Sequence, residues 1–165
     1  MSGKDVEVYE AEVVEEELTE LELFEFTPDE LVIDQPTPQG RIACIIPAYN
    51  EAETIEAVLQ GLLAQTRLPD SIHVIINNSS DASFDIARSY AGQYSVVRND
   101  REQSTTIYVH DMGRVSEKKV GALNYGYRLA AGAEYLLGVD GDTVMEPDAL
   151  APLEAETASD PRIGG

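Results

Sequence analysis

Three short polar segments carry the chemistry of this sequence. Asp140-Gly141-Asp142 sets two carboxylates one residue apart after an apolar run. Hard oxygen donors in that arrangement suit a divalent cation, which takes one or two carboxylates and completes its shell with waters and phosphate. A plain turn is the simpler role for an Asp-Gly pair. An EF-hand loop is excluded, because Val144 stands at the third ligand position and no glycine follows where that loop needs one. PAYNE, residues 47–51, follows another apolar run, and its Tyr49 is an amphipathic aromatic suited to packing on a planar base. NNSSD, residues 77–81, follows a third run; Asn77 and Asn78 can donate and accept hydrogen bonds, and Asp81 suits a helix cap. Lys118 and Lys119 are a rare cation cluster in an acidic chain and suit phosphate, although a solvated helix face is their ordinary place. His73 and His110 are isolated from these segments and are given no role.

The elements that must position these residues follow from hydropathy. Residues 41–46, 71–76 and 134–139 are short apolar runs, as expected of strands covered on both faces of a parallel sheet. Residues 95–98 and 106–109 read as further strands. Ile55, Val58, Leu59, Leu62 and Leu63 form a helical stripe within 51–64. Helices are also expected over 81–90, 116–131 and 146–158. Strand and helix alternate, which predicts an α/β domain with a mostly parallel sheet. Ligands of such sheets bind at the carboxyl ends of the strands. All three polar segments fall there, and their convergence says more than any one of them.

Charge divides the chain. Of a net charge of −20, residues 1–35 hold −12. A Pro/Gly-containing stretch, 35–40, then separates this acidic extension from an α/β unit over 41–165. Within the extension, residues 21–26 alternate as a short strand would, and Thr27-Pro28 fits a helix start. The extension is expected to stay out of the sheet core, as a solvated tail or as an arm for a protein partner. The overall charge disfavours nucleic acids and anionic membrane surfaces. No apolar run has the roughly 20 residues of a membrane-spanning helix, and the acidic N-terminus does not resemble a secretory signal. The lone Cys44 sits in an apolar run and is expected as a buried thiol. Together these features predict a cytoplasmic protein.

IIPAYNE at 45–51, KVGALN at 119–124, VDGD at 139–142 and EPDAL at 146–150 resemble, in order and spacing, the opening motif, the K-A-G-A-L-N segment, the D-x-D motif and the stretch after it in family 2 glycosyltransferases. The resemblance covers residues 41–165. It implies a GT-A fold, a Rossmann-like mostly parallel sheet with flanking helices, truncated here and preceded by the acidic extension. It implies a nucleotide-diphospho-sugar donor, most simply a UDP-sugar, with Mg²⁺ or Mn²⁺ and inversion at the anomeric carbon. By position, Pro47, Ala48, Tyr49 and Glu51 would line the nucleotide pocket, Asn78 would face the base, Lys119 would lie near the donor, and Asp140 and Asp142 would hold the metal and diphosphate. The family usually has Asp where this chain has Asn77 or Asn78. Its general base and its Trp-containing acceptor motif are expected beyond Gly165. A second reading is therefore a catalytically inactive domain of this fold that works as an interaction module through its acidic arm. A nucleotidyltransferase is disfavoured, since residues 47–51 lack the glycines of a phosphate loop.

Overall fold

The computed structural model describes residues 40–160 together with residues 162 and 163. The acidic segment 1–35, with the strand and helix start expected in it, lies outside the described residues. Strand β1, Ile42–Ala48, has every residue buried, which is why its sequence shows no alternation. It is an interior strand of the sheet. Strand β2, Ser71–Ile76, runs parallel to it on one side and β5, Tyr135–Gly138, runs parallel on the other. Strand β4, Arg101–Asp111, runs parallel to β2, and β3, Gly92–Arg98, pairs antiparallel with β4. The five strands thus lie in the order β3-β4-β2-β1-β5. The expected adjacency of the first two strands holds, with Ala43 opposite Ser71 and Ala48 opposite Ile76.

Successive residues of β1 point to opposite faces. Cys44, Ile46 and Ala48 join Ile72, Val74, Ile76 and Ile107 in a core closed by helix α1, Ile55–Leu63, and helix α2, Ser83–Arg88. Ala43, Ile45 and Ile75 join Ala122 and Ala130 of helix α3, Lys118–Leu129, on the other face. A side chain at Gly126 of α3 would come within 2.5 Å of Ile45, so this glycine sets how closely α3 lies on the sheet. Cys44 is fully buried, and burial pushes its thiol far above the usual range.

Helix α4, Leu150–Ser159, is held by polar side chains. Arg67 donates to Glu154 at 2.8 Å in an ion pair about nine-tenths covered, and also to the Gly40 carbonyl at 2.9 Å. Gln65 is fully buried; it donates to the Glu146 carbonyl at 2.6 Å and accepts from the Leu150 amide at 3.1 Å.

Two boundaries differ from expectation for physical reasons. Strands foreseen at 95–98 and 106–109 are longer and form one hairpin. Asn99 and Asp100, with φ of 52° and 58°, make its two-residue turn, and Arg98 pairs with Arg101. The polar run 101–105 gave no apolar signal because hairpin hydrogen bonds and the Gln103 side chain, bonded to Leu68 and Thr66, help hold it in place. Every helix also starts later than its apolar pattern suggested. Asp81 does not cap α2: Ala82 holds that position, and Asp81 instead accepts from the Ser83 amide at 3.0 Å in a local turn.

His73 stacks on Tyr108 at 5.0 Å and on His110 at 5.9 Å, and His110 meets Tyr125 of α3 edge-on. Burial holds both imidazoles below their ordinary range, and for His73 the neighbouring His110 adds to the effect. An unfolded chain therefore binds more protons than the folded one at mildly acidic pH. The stability from these neutral rings is complete above about pH 6.5 and is lost as pH falls below it. Thermal melts at about pH 7.5 and about pH 5.5 should show a lower midpoint in acid, and replacing both histidines by phenylalanine should reduce that difference. An unchanged acid difference in the double variant would contradict this account.

Candidate functional site

The three polar segments meet at the carboxyl edge of the sheet, beyond the ends of β1, β2 and β5. They enclose a cleft of about 390 Å³ lined by Pro47, Ala48, Tyr49, Glu51, Asn77, Lys118, Lys119, Asp140, Gly141 and Asp142. Pro47 and Ala48 are buried at the end of β1, while Tyr49 is 58% exposed at the mouth. Seven of the eight site residues named from the sequence line this cleft.

Asn78 is placed differently. Its side-chain amide donates to the Val115 carbonyl at 3.0 Å, and its side-chain oxygen accepts from the Val115 amide at 3.0 Å. Its own amide donates to the Gly113 carbonyl at 2.8 Å. Asn78 therefore clamps the loop that leads into α3, and the cleft wall is formed by its neighbour Asn77, which is 2% exposed. The two asparagines look alike in sequence. Asn78 adopts a left-handed backbone, φ 54°, and its bonds all run to the loop before α3.

The floor depends on a close approach. A side chain at Gly141 would fall 2.8 Å from the Glu51 side chain and 3.3 Å from the Pro47 carbonyl. With no side chain there, Asp140 and Asp142 flank the end of β1 and both face the cleft. Asp140 pairs with Lys119 at 2.5 Å, both side chains more than half exposed. Exposed pairs of this kind contribute little to stability. Lys118 and Lys119 open α3, where the helix dipole favours anions over cations, so helix stability does not account for them.

The loops after β1 and β2 are laced together. The amides of Asn50, Glu51 and Ala52 donate to Ser79 at 3.0 Å, Ser83 at 2.7 Å and Asp81 at 3.0 Å. In return Asn50 accepts from the Ser80 amide at 2.9 Å. Slight burial raises the Asp81 carboxyl, but its hydrogen bonds from Ser83 and Ala52 outweigh that and hold it below the ordinary range. Asn50, Ser79 and Ser83 were not singled out from the sequence. Short hydroxyl and amide side chains after two strands resemble any loop, and their partners are 29–32 residues away.

The class of protein follows from this site on this sheet. The sequence model described as Glycosyl transferase family 2 matches residues 43–164, and the chain belongs to that family. Poly-beta-1,6-N-acetyl-D-glucosamine synthase of Staphylococcus aureus (strain COL) is 29% identical over 123 residues, which are 74% of this chain and 27% of that protein. Cholesterol galactosyltransferase of Borreliella burgdorferi is 28% identical over 120 residues, 73% of this chain and 30% of that protein. A solved structure of S. aureus TarS, residues 1–349 in complex with UDP, superposes with a TM-score of 0.53 at 22% identity, covering 72% of this chain and 32% of that one. The sheet and its flanking helices are thus of the GT-A-like, Rossmann type. The chain spans between about a quarter and a third of the length of these relatives. Among the described residues no helix is long and apolar enough to cross a membrane.

Two substitutions test the geometry. Gly141→Ala should destabilise the fold by roughly 1–3 kcal/mol in urea melts, since the added methyl meets Glu51 and a backbone carbonyl. Lys118, at φ 46°, is the only residue other than Asn, Asp or Gly with a left-handed backbone among the described residues. Lys118→Gly should therefore stabilise by up to about 1 kcal/mol. A loss of stability in that variant would show that the lysine side chain makes contacts worth more than the strain.

Proposed function

We propose that the cleft binds a nucleotide-diphospho-sugar, a UDP-sugar, as the donor of a family 2 glycosyl transfer. The observation that carries this reading is the meeting of Tyr49, Asn77, Lys119, Asp140 and Asp142 around one cavity. Tyr49 offers a ring face to the base. Asn77 sits at the base edge, a role the sequence resemblance gave to Asn78, and Asn78 acts by fixing the loop before α3. Lys118 and Lys119 meet the negative charge of the diphosphate, and Pro47, Ala48 and Glu51 shape the wall. That TarS was solved with UDP supports this nucleotide as the first to test.

Mg²⁺ or Mn²⁺ fits the donor set. Asp140 and Asp142 present hard oxygens at the cleft surface, and Asp140 already holds a cation, the Lys119 ammonium, at 2.5 Å. Among the described residues no group of three or more His, Cys, Asp or Glu could hold a metal unaided. A cation here would be held by the two aspartates together with water and diphosphate oxygens. Once bound, it would neutralise charge on the leaving nucleotide diphosphate. The aspartates orient the donor by its phosphates and Lys119 shares that charge. The proton of the acceptor hydroxyl is assigned to none of them.

Family membership, with Lys119, Asp140 and Asp142 gathered in one cleft, favours this reading over an inactive interaction module. The unit over 41–165 would then be the donor-binding part. Residues 1–35, as an arm for a protein partner, remain a separate proposal.

Calorimetry with UDP should show binding that strengthens with Mn²⁺. Asp142→Asn should weaken the Mn²⁺-dependent binding by about tenfold or more, with metal-free binding little changed. Absence of UDP binding in Mn²⁺, or an Asp142→Asn variant that binds like the parent, would overturn the assignment.

A further inference from the structure

We infer that Thr54 is a positioning residue for the aspartate pair, an inference that rests on the donor-site reading above. Thr54 occupies the N-cap of α1. A threonine there ordinarily turns its hydroxyl onto the first free amides of the helix. Thr54 makes no such side-chain cap. Its hydroxyl instead lies 2.8 Å from the carbonyl of Gly141 and 3.0 Å from the Glu51 carboxylate. The Gly141 contact crosses 87 residues of sequence to the peptide between the two aspartates.

The consequence is geometric. Within the 140–143 turn the Thr143 amide donates to the Asp140 carbonyl at 3.0 Å and the Thr143 hydroxyl to the Asp142 carboxylate at 3.4 Å. Close packing against Gly141 limits how near the turn may come to β1, but van der Waals contact is non-directional and does not fix its rotation. A hydrogen bond to the Gly141 carbonyl is directional and fixes the plane of that peptide. Asp140 and Asp142 leave the backbone on either side of it. The hydroxyl has one proton, and its shortest contact is with the Gly141 carbonyl; the Glu51 side chain packs on Gly141 beside it. One hydroxyl thus joins the loop after β1 to the turn after β5, while Asn50, Ser79, Asp81 and Ser83 join the loops after β1 and β2. Thr54 touches neither the base side of the cleft nor, on this account, the nucleotide itself.

Thr54→Val keeps the shape and removes the hydroxyl, and Thr54→Ser keeps the hydroxyl. UDP binding should be measured for the parent and both variants, each with Mn²⁺ and with a chelator. Thr54→Val is expected to weaken Mn²⁺-dependent binding by about three- to tenfold, the range of one lost hydrogen bond, and to leave metal-free binding unchanged. Thr54→Ser should stay within about twofold of the parent. Equal losses with and without metal, no loss in Thr54→Val, or no rescue by Thr54→Ser would each overturn the inference. Failure of the parent to bind UDP would instead overturn the donor-site reading. An independent readout then remains: amide exchange at Thr143, followed by NMR without nucleotide, should be at least about threefold faster in Thr54→Val than in the parent. Unchanged exchange there would dismiss Thr54 as a positioning residue.

Discussion

The site depends on how closely the backbone at Gly141 approaches the end of β1. Hydrogen bonding holds the chain beside β1 as far as the Val139 amide, which donates to the Ile45 carbonyl at 3.0 Å, and the chain must then turn over the cleft without moving away. It stays close because position 141 has no side chain to hold it off from Glu51 and Pro47. Two carboxylates consequently face one cavity. Lys119 lies 2.5 Å from Asp140, with both side chains more than half exposed. Steric freedom at one glycine therefore maintains the geometry, and one lysine balances the charge of Asp140.

The charge distribution gives this balance its meaning. A chain of net charge −20 sets two adjacent lysines at the start of α3, beside its paired aspartates. The helix dipole makes that an unfavourable place for cations, and the backbone at Lys118 is strained as well. Neither feature assists folding, and both fit the donor-binding role proposed for the cleft. The rest of the domain is conventionally stabilised. Apolar cores cover both faces of β1, and buried polar side chains at Gln65 and Arg67 fasten the last helix.

Much of the fold was legible in hydropathy. The apolar runs of β1 and β2 have to be covered on both faces, and the stripe from Ile55 to Leu62 has to face them, so the parallel pair and its helix follow from burial. The β3-β4 hairpin was less legible, because the outer half of β4 is polar and is held by backbone pairing. Helix starts were missed for a related reason. Residues 51–54 were expected in the first helix, but the Glu51 and Ala52 amides bond to Ser83 and Asp81 after β2, and the Thr54 hydroxyl to Gly141 after β5.

The sequence by itself determined that three polar segments stand at strand ends and that two carboxylates flank a glycine. It also carried the motifs that identify the family. These properties are local: apolar runs place the strand ends, and the order of residues places the motifs. Tertiary structure decided the division of labour within the segments. It turned Asn77 to the cleft and Asn78 to the loop before α3, drew Lys119 onto Asp140, and directed the Thr54 hydroxyl to Gly141. Each of these outcomes depends on a partner distant in sequence and on directional bonds a few ångströms long. Such partners are chosen only when the sheet has brought the loops together.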